Sequence, residues 1–344
     1  MLKDIWWKMN NKPLKVGELT AEVGEKKQGY INILDTGLKI PITLINGIGK
    51  HNINNVQNEN NHNEDSSPKT VVITSGIHGG EYTGIETSIR LAKELQPEDV
   101  NGKLIIVHPV NTTSFFKKNQ YVVPLDGKNL NRTFPGKEDG SVADKISYII
   151  TNEMYAQADF VIDLHGGDLH EDLEPFVAYA SNVKEEIVCA SKDAARFLGI
   201  KYIVGVPSTN SSFGAAAQMG IPALLAEIGG RGEWTEKEVE RYLEGVNNLL
   251  MYLRVLDGNA KKNHEELIEL KEFISDNAAE SGCWYPFVKK SDILKKGEKI
   301  GEIRDFFSNV LAEHFSEADG VALYIVKTLS INEGDPIYSI GKLS

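Results

Sequence analysis

Cysteine is almost missing from this 344-residue chain: Cys189 and Cys283 are the only two, far apart and in no C-x-x-C spacing. A disulfide framework and a thiolate zinc site are therefore excluded, and both thiols are expected to be free and buried. Positive charge is also short. Lys and Arg total 37 against 49 Asp and Glu, a net charge of −12, and the basic residues gather only in pairs such as Lys117-Lys118, Lys261-Lys262 and Lys289-Lys290. A polyphosphate backbone needs a basic face, so nucleic acid is not a general partner, and any anionic ligand must be small and locally recognised. No apolar run approaches the ~20 residues of a membrane helix, and residues 1–8 lack the apolar stretch of a signal peptide. The expectation is a cytoplasmic protein with no membrane partner, homo-oligomeric only by base rate.

What is present is ordinary for a folded enzyme-sized chain. Hydrophobic residues at 41% and charged residues at 25% exclude wholesale disorder. At ~100–200 residues per domain the length implies two domains. Residues 14–48 alternate short apolar runs with glycine and read as a β meander. Residues 51–67 are Asn-rich with almost no apolar content, and read as a flexible loop whose His51 and His62 stay solvated. From Lys69 onward, short apolar runs alternate with amphipathic stretches. Strands are expected at Val71–Ser75, Leu104–His108, Phe160–Leu164, Phe176–Ala180, Tyr202–Val206 and Ala223–Glu227, with helices near 84–95, 142–157, 184–198, 211–219 and 235–256. Continuous apolar strands are buried on both faces, so the fold class is α/β, a mostly parallel mixed sheet with helices on both faces. Ligands then gather at strand carboxyl ends.

Beyond residue 258 the helical periodicity fades and glycines punctuate short β-rich pieces. The expected division is a catalytic domain over 1–258 and a small all-β domain over 259–344. The stretches Lys296–Ile303 and Asp319–Tyr324 resemble the barrel-sandwich hybrid of lipoyl and biotinyl domains. The turn Glu317-Ala318-Asp319-Gly320 has no lysine to modify, which argues against a covalently attached cofactor.

Four segments carry chemistry-bearing residues. Ser75–Gly84 follows a strand, precedes a helix and contains His78-x-x-Glu81. His314 and Glu317 repeat that spacing without a strand-to-helix junction, and His314 reads as a surface residue. His165 ends the strand Val161–His165 and is followed by two glycines, and Asp163 is placed to orient a ligand from behind. Two His and one Glu match a three-ligand zinc site with an open fourth position. Taken singly, His165 reads as a residue packed at a strand end and Glu81 as one that favours a helix N-terminus, where the dipole stabilises a carboxylate. In Asp126–Gly136, the Arg132 fork beside Asn131 suits a substrate carboxylate, although Asn and Gly also make turns. Glu227 interrupts the apolar strand Ala223–Glu227 near its end, where a general base, a helix cap or a salt bridge would each account for it.

In chain order, His78-x-x-Glu81, Asn131-Arg132, His165 and Glu227 resemble the M14 zinc carboxypeptidase-like superfamily. The flanking residues narrow this. Gly76-Ile77-His78-Gly79-Gly80-Glu81-Tyr82-x-Gly84, Asn129-Leu130-Asn131-Arg132-x-Phe134-Pro135-Gly136, Asp163-Leu164-His165-Gly166 and Glu227-x-Gly229-Gly230 resemble the succinylglutamate desuccinylase/aspartoacylase family. The resemblance covers residues 30–340 and implies one zinc ion (Zn2+) per chain held by His78, Glu81 and His165. It also implies a small anionic N-acyl amino acid gripped by Asn131 and Arg132, and Glu227 as general base for hydrolysis of its amide bond. One departure is that no Arg lies between Arg90 and Arg132, where relatives place an oxyanion-stabilising Arg. Lys117 or Lys118 is the available substitute, a point charge without a planar fork. Arg231 is placed either to bind a second carboxylate or to form a surface salt bridge. A metallocarboxypeptidase acting on short peptides, or a zinc-containing binding protein without turnover, are the alternative functions.

Overall fold

The structure is a computed structural model that describes residues 12–48, 68–262 and 267–343. The Asn-rich segment 51–67 lies outside the described residues. Nine strands form the main sheet: β1 (Glu25–Asn32), β2 (Lys39–Asn46), β3 (Lys69–Ser75), β4 (Gly102–Val107), β5 (Phe160–His165), β6 (Phe176–Ala180), β7 (Tyr202–Val206), β8 (Ala223–Glu227) and β9 (Ile268–Leu270). Their spatial order is β9-β7-β6-β8-β5-β3-β4-β2-β1. Pairing is parallel from β4 through β3 and β5 to β8 and again among β6, β7 and β9, and antiparallel at β8–β6 and along the β4–β2–β1 edge.

Alternate residues of each central strand enter opposite cores, which is why the strands are apolar throughout. Val72, Ala223 and Leu225 join one core, whereas Val71, Ile73, Leu224 and Ala226 join the other. Helices α1 (Tyr82–Glu94), α2 (Thr112–Lys117), α3 (Val142–Ile149), α4 (Glu185–Ala195), α5 (Ser212–Gln218) and α6 (Glu236–Tyr252) connect the strands. Leu91 of α1 and Val246 and Leu249 of α6 cover one face, and Ile146 of α3 and Ala216 of α5 the other. The single helix expected over 142–157 is α3 followed by a wide turn at Ile150–Met154 and a tight one at Tyr155–Gln157. No helix among the described residues is long and apolar enough to cross a membrane.

The C-terminal strands form two antiparallel sheets. Trp284, Ile300, Ile303, Ile325, Ile337 and Ile340 fill the space between them. Trp284 also donates its indole N–H to the Val326 carbonyl at 3.1 Å. Trp284→Ala is expected to cost about 3–5 kcal/mol in denaturant unfolding, as for other large-to-small core changes. A cost under about 1 kcal/mol would show that this ring does not anchor the layer. Two expectations are corrected here. His314 is buried rather than on the surface, because its Nδ1 pairs with Asp276 Oδ2 at 2.7 Å and its ring packs edge-on to Trp284. Cys189 is exposed, on the outward side of α4, and only Cys283 is buried.

The two sets of sheets exchange strands. β9, beyond residue 258, extends the main sheet along β7. Conversely, the short strand Glu171–Leu173, which follows β5, pairs with Tyr324–Val326 of the C-terminal sheet. Each exchange gives an open sheet edge its backbone partners, and the second ties the C-terminal layer to the loop that leaves His165.

Candidate active site

The carboxyl ends of β3, β5 and β8 lie side by side at the middle of the sheet. Thr74 is in register with Asp163, and Glu227 with His165. The chain leaving β3 turns at Gly76, whose φ of +65° suits glycine, and carries His78 to the end of α1, where Glu81 is the N-cap residue. Gly79 is required for a different reason. A Cβ there would stand 2.2 Å from the Phe115 backbone nitrogen, so only glycine lets α2 seat against this loop.

His78, Glu81 and His165 converge, with one donor atom from each lying within 4.8 Å of the others. Nδ1 of His78 is 2.6 Å from Glu81 Oε1, and Nδ1 of His165 is 2.8 Å from Glu81 Oε2. The outer ring nitrogens are also held. Nε2 of His165 meets Asp163 Oδ2 at 3.0 Å, and Asp163 Oδ1 accepts from the Thr74 hydroxyl at 2.7 Å. Nε2 of His78 is 3.2 Å from Asn129 Oδ1. Acceptors behind both rings fix the tautomer that points a lone pair inward, which is how metal-ligating histidines are supported. Electrostatics agree. Burial alone would raise the Glu81 carboxyl, yet the imidazoles of His165 and His78 hold it down at about 2. Burial opposes protonation of His165, and Glu81 and Asp163 overcome it, raising that group well above its usual value. The centre thus demands positive charge. A divalent cation bound by two nitrogens and a carboxylate supplies it in place of protons, so the donor set fits a metal ion.

Glu227 stands beside this centre. Its Oε2 is fully enclosed and has no hydrogen-bond partner among the described residues. Burial, reinforced by the charge of Glu81, raises its carboxyl well above the ordinary range. Among the described residues, neither the helix cap nor the salt bridge offered as a structural explanation is present. Tyr242 of α6 reaches under both strands, and its hydroxyl lies 2.7 Å from the His165 carbonyl and 2.5 Å from that of Ala226, tying the metal-ligand strand to the Glu227 strand.

The remaining candidates are placed as follows. Asn131 is buried, and its side-chain oxygen accepts the Ser212 N–H at 2.9 Å, anchoring the start of α5. Arg132 is exposed, and no ion pair among the described residues engages it. Lys118 caps the end of α2 with a φ of +53° and is exposed, without a partner among the described residues. Arg231 is exposed, and its guanidinium approaches Glu233 at 3.5 Å, the surface contact that was one of its two expectations. Sequence reasoning missed Asn129, Tyr121, Asp168, Glu171 and Tyr242. Asp168 and Glu171 were the most accessible to it, since charged residues six or fewer positions after His165 sit in the loop leaving the strand end.

The comparisons with known proteins come to the same place. Residues 67–253 match the succinylglutamate desuccinylase/aspartoacylase catalytic domain. The N-alpha-acetyl-L-2,4-diaminobutyric acid deacetylase of Halomonas elongata is 30% identical over 282 residues, which are 80% of this chain and 82% of that protein. The product-bound ectoine utilization protein EutE of Ruegeria pomeroyi superposes with a TM-score of 0.78 at 22% identity, covering 96% of this chain and 98% of that one. A succinylglutamate desuccinylase/aspartoacylase from Rhodobacter sphaeroides gives a TM-score of 0.74 at 22% identity, with 92% and 95% covered.

Proposed function

The chain belongs to the succinylglutamate desuccinylase/aspartoacylase family, and on that premise we propose that it is a zinc-dependent deacylase hydrolysing the amide bond of an N-acyl amino acid. The observation that carries this reading is the convergence of His78 and His165 Nδ1 on Glu81, with Glu227 at the next strand end and its enclosed Oε2 without a partner among the described residues. Among substrates, an acetylated diamino acid has the most support, from the 30% identical deacetylase.

In this mechanism His78, Glu81 and His165 hold zinc, which when bound supplies a Lewis acid for the scissile carbonyl and lowers the pKa of water. Glu227 takes the proton from the attacking water and returns it to the departing amine. Its enclosure suits both steps, since a carboxyl disfavoured as an anion accepts a proton readily. Arg132 grips the substrate carboxylate with its planar fork, and the Asn131 amide adds donors beside it. Lys118 is the lysine offered for the developing oxyanion, and Arg231 would swing from Glu233 to meet a second carboxylate. Residues 1–258 carry the chemistry, and residues 259–344 narrow the approach to it.

Amine release from N-acetyl and N-succinyl amino acids and short peptides, with and without a chelator, tests the reading. Release from acyl amino acids alone, abolished by the chelator and restored by zinc, is expected. Cleavage confined to peptides would favour the carboxypeptidase alternative, and chelator-resistant release would remove the metal from the mechanism.

A further inference from the structure

Around the metal ligands lies more negative charge than a metal ion and a general base require. The strongest electrostatic influences on Asp168, Glu171 and Glu227 come from one another, from Glu81 and Asp163, and from the two imidazoles, with no Lys or Arg among them. Asp168 is committed to the fold, its oxygens accepting the Leu169 and Tyr121 backbone N–H groups at 2.6 and 2.8 Å. Glu171 is committed only in part. Its Oε2 accepts the Asp168 N–H at 3.1 Å, while Oε1 has no hydrogen bond or ion pair among the described residues.

The position of Glu171 is equally specific. It lies opposite Val326 where the C-terminal sheet meets the loop leaving His165. Its charge acts on the hydroxyls of Tyr121, whose ring centroid is 6.0 Å from that of His78, and of Tyr324 on the C-terminal layer. Its Oε2 accepts from Asp168, Asp168 in turn accepts from the Tyr121 backbone, and the Tyr121 ring neighbours His78, so the Glu171 carboxylate belongs to the cluster between the metal ligands and the C-terminal wall. The enclosed Oε2 of Glu227, without a hydrogen-bond partner among the described residues, is a second acceptor, and the Glu171 charge acts on that carboxyl too.

We propose that Glu171 is a specificity-determining residue that holds a primary ammonium on the side chain of the N-acyl amino acid. The inference rests on the deacylase reading above. With neutral imidazoles and a dication in place, the carboxylates of Glu81, Asp163, Asp168, Glu171 and Glu227 still leave the pocket negative. A substrate with two carboxylates enters against that field and must draw Arg231 away from its surface contact with Glu233 to meet the second one. One with a single carboxylate for Arg132 and an ammonium for Glu171 is matched at both ends and excludes its anionic analogues. Burial pushes the Glu171 carboxyl up to about 7, with the charges of Asp168 and Glu81 adding to the effect. An ammonium partner favours the ionised form and relieves that penalty.

The test compares zinc-loaded wild type and Glu171→Gln on three substrates of similar shape: Nα-acetyl-2,4-diaminobutyrate, Nα-acetylnorvaline and N-acetylglutamate. Gln keeps an oxygen for the Asp168 N–H, so the loop retains its backbone contact. Wild type is expected to prefer the ammonium substrate over norvaline by at least ~100-fold in kcat/KM, and Glu171→Gln to lower that ratio by ~100-fold. A loss of turnover that leaves the ratio unchanged would make Glu171 structural and overturn the inference, as would a wild type without cation preference. Calorimetric titration of the same three compounds separates the two readings. If wild type turns over none of them, the deacylase reading fails. Selective binding of the ammonium compound that Glu171→Gln abolishes would then still support Glu171, and its absence would dismiss both.

Discussion

His78→Ala is expected to leave the protein folded, without stoichiometric zinc, and with amide hydrolysis reduced at least ~1,000-fold. Three protein ligands are the usual minimum for a zinc site that retains an open position. Losing a supporting residue behind a ligand already costs ~10–100-fold in metal affinity, so losing a ligand costs more. Rate falls with the metal, because Lewis-acid stabilisation of the reacting carbonyl is worth several kcal/mol and each 1.36 kcal/mol is about tenfold in rate. Folding should survive, because His78 lies in a loop and is not part of either main core. Its loss also frees Glu81 Oε1 from a 2.6 Å contact with nothing to replace it. Metal analysis of the purified variant, together with its thermal unfolding, separates ligand loss from collapse. Zinc retained at one equivalent would remove His78 from the ligand set.

Glu227→Gln is expected to behave in the opposite way towards metal. The variant should bind zinc as wild type does, since Glu227 is not among the converging donors, and lose at least ~100-fold in kcat, the lower range for removal of a general base. Gln fills the same volume and carries no charge. The change therefore also relieves the repulsion between Glu227 and Glu81 that helps raise the Glu227 carboxyl, and stability should rise or hold. An inactive, zinc-replete and fully stable variant is the signature of a proton-transfer residue. Turnover within a few-fold of wild type would assign the base elsewhere, with Glu171 the carboxylate whose charge acts most on Glu227 after that of Glu81.

Much of the catalytic layer was legible because its signals are local. Phe176–Ala180, Tyr202–Val206 and Ala223–Glu227 were read to the residue, since a strand buried on both faces is a mainly apolar run, and here the ends are marked by proline (Pro175, Pro207, Pro222) or polar residues (Ser181, Lys201, Glu227). His78, Glu81, His165 and Glu227 stood out as polar groups at the ends of such runs. Less was legible where a residue's partner is remote. Asn131 was read as a substrate donor from its loop alone, and nothing local announced that its oxygen also accepts the Ser212 N–H, 81 positions away. Asn129, two residues earlier, is the one that meets His78. His314 was expected on the surface because no strand-to-helix junction accompanies it, yet a carboxylate 38 positions away and a tryptophan ring enclose it.

The sequence by itself determined the parallel layer, because that follows from hydrophobic periodicity, and its ordered motifs, through their resemblance to the family, singled out His78, Glu81 and His165 as the candidate metal triad and Glu227 as the candidate base. Only the tertiary structure decided which ring nitrogens point inward, what holds them from behind, and that a C-terminal strand pairs with Glu171–Leu173 at the rim of the site. Those facts depend on contacts between segments far apart in the chain. Burial and backbone pairing energies that select among such contacts are set by the whole packed molecule, not by any window of residues.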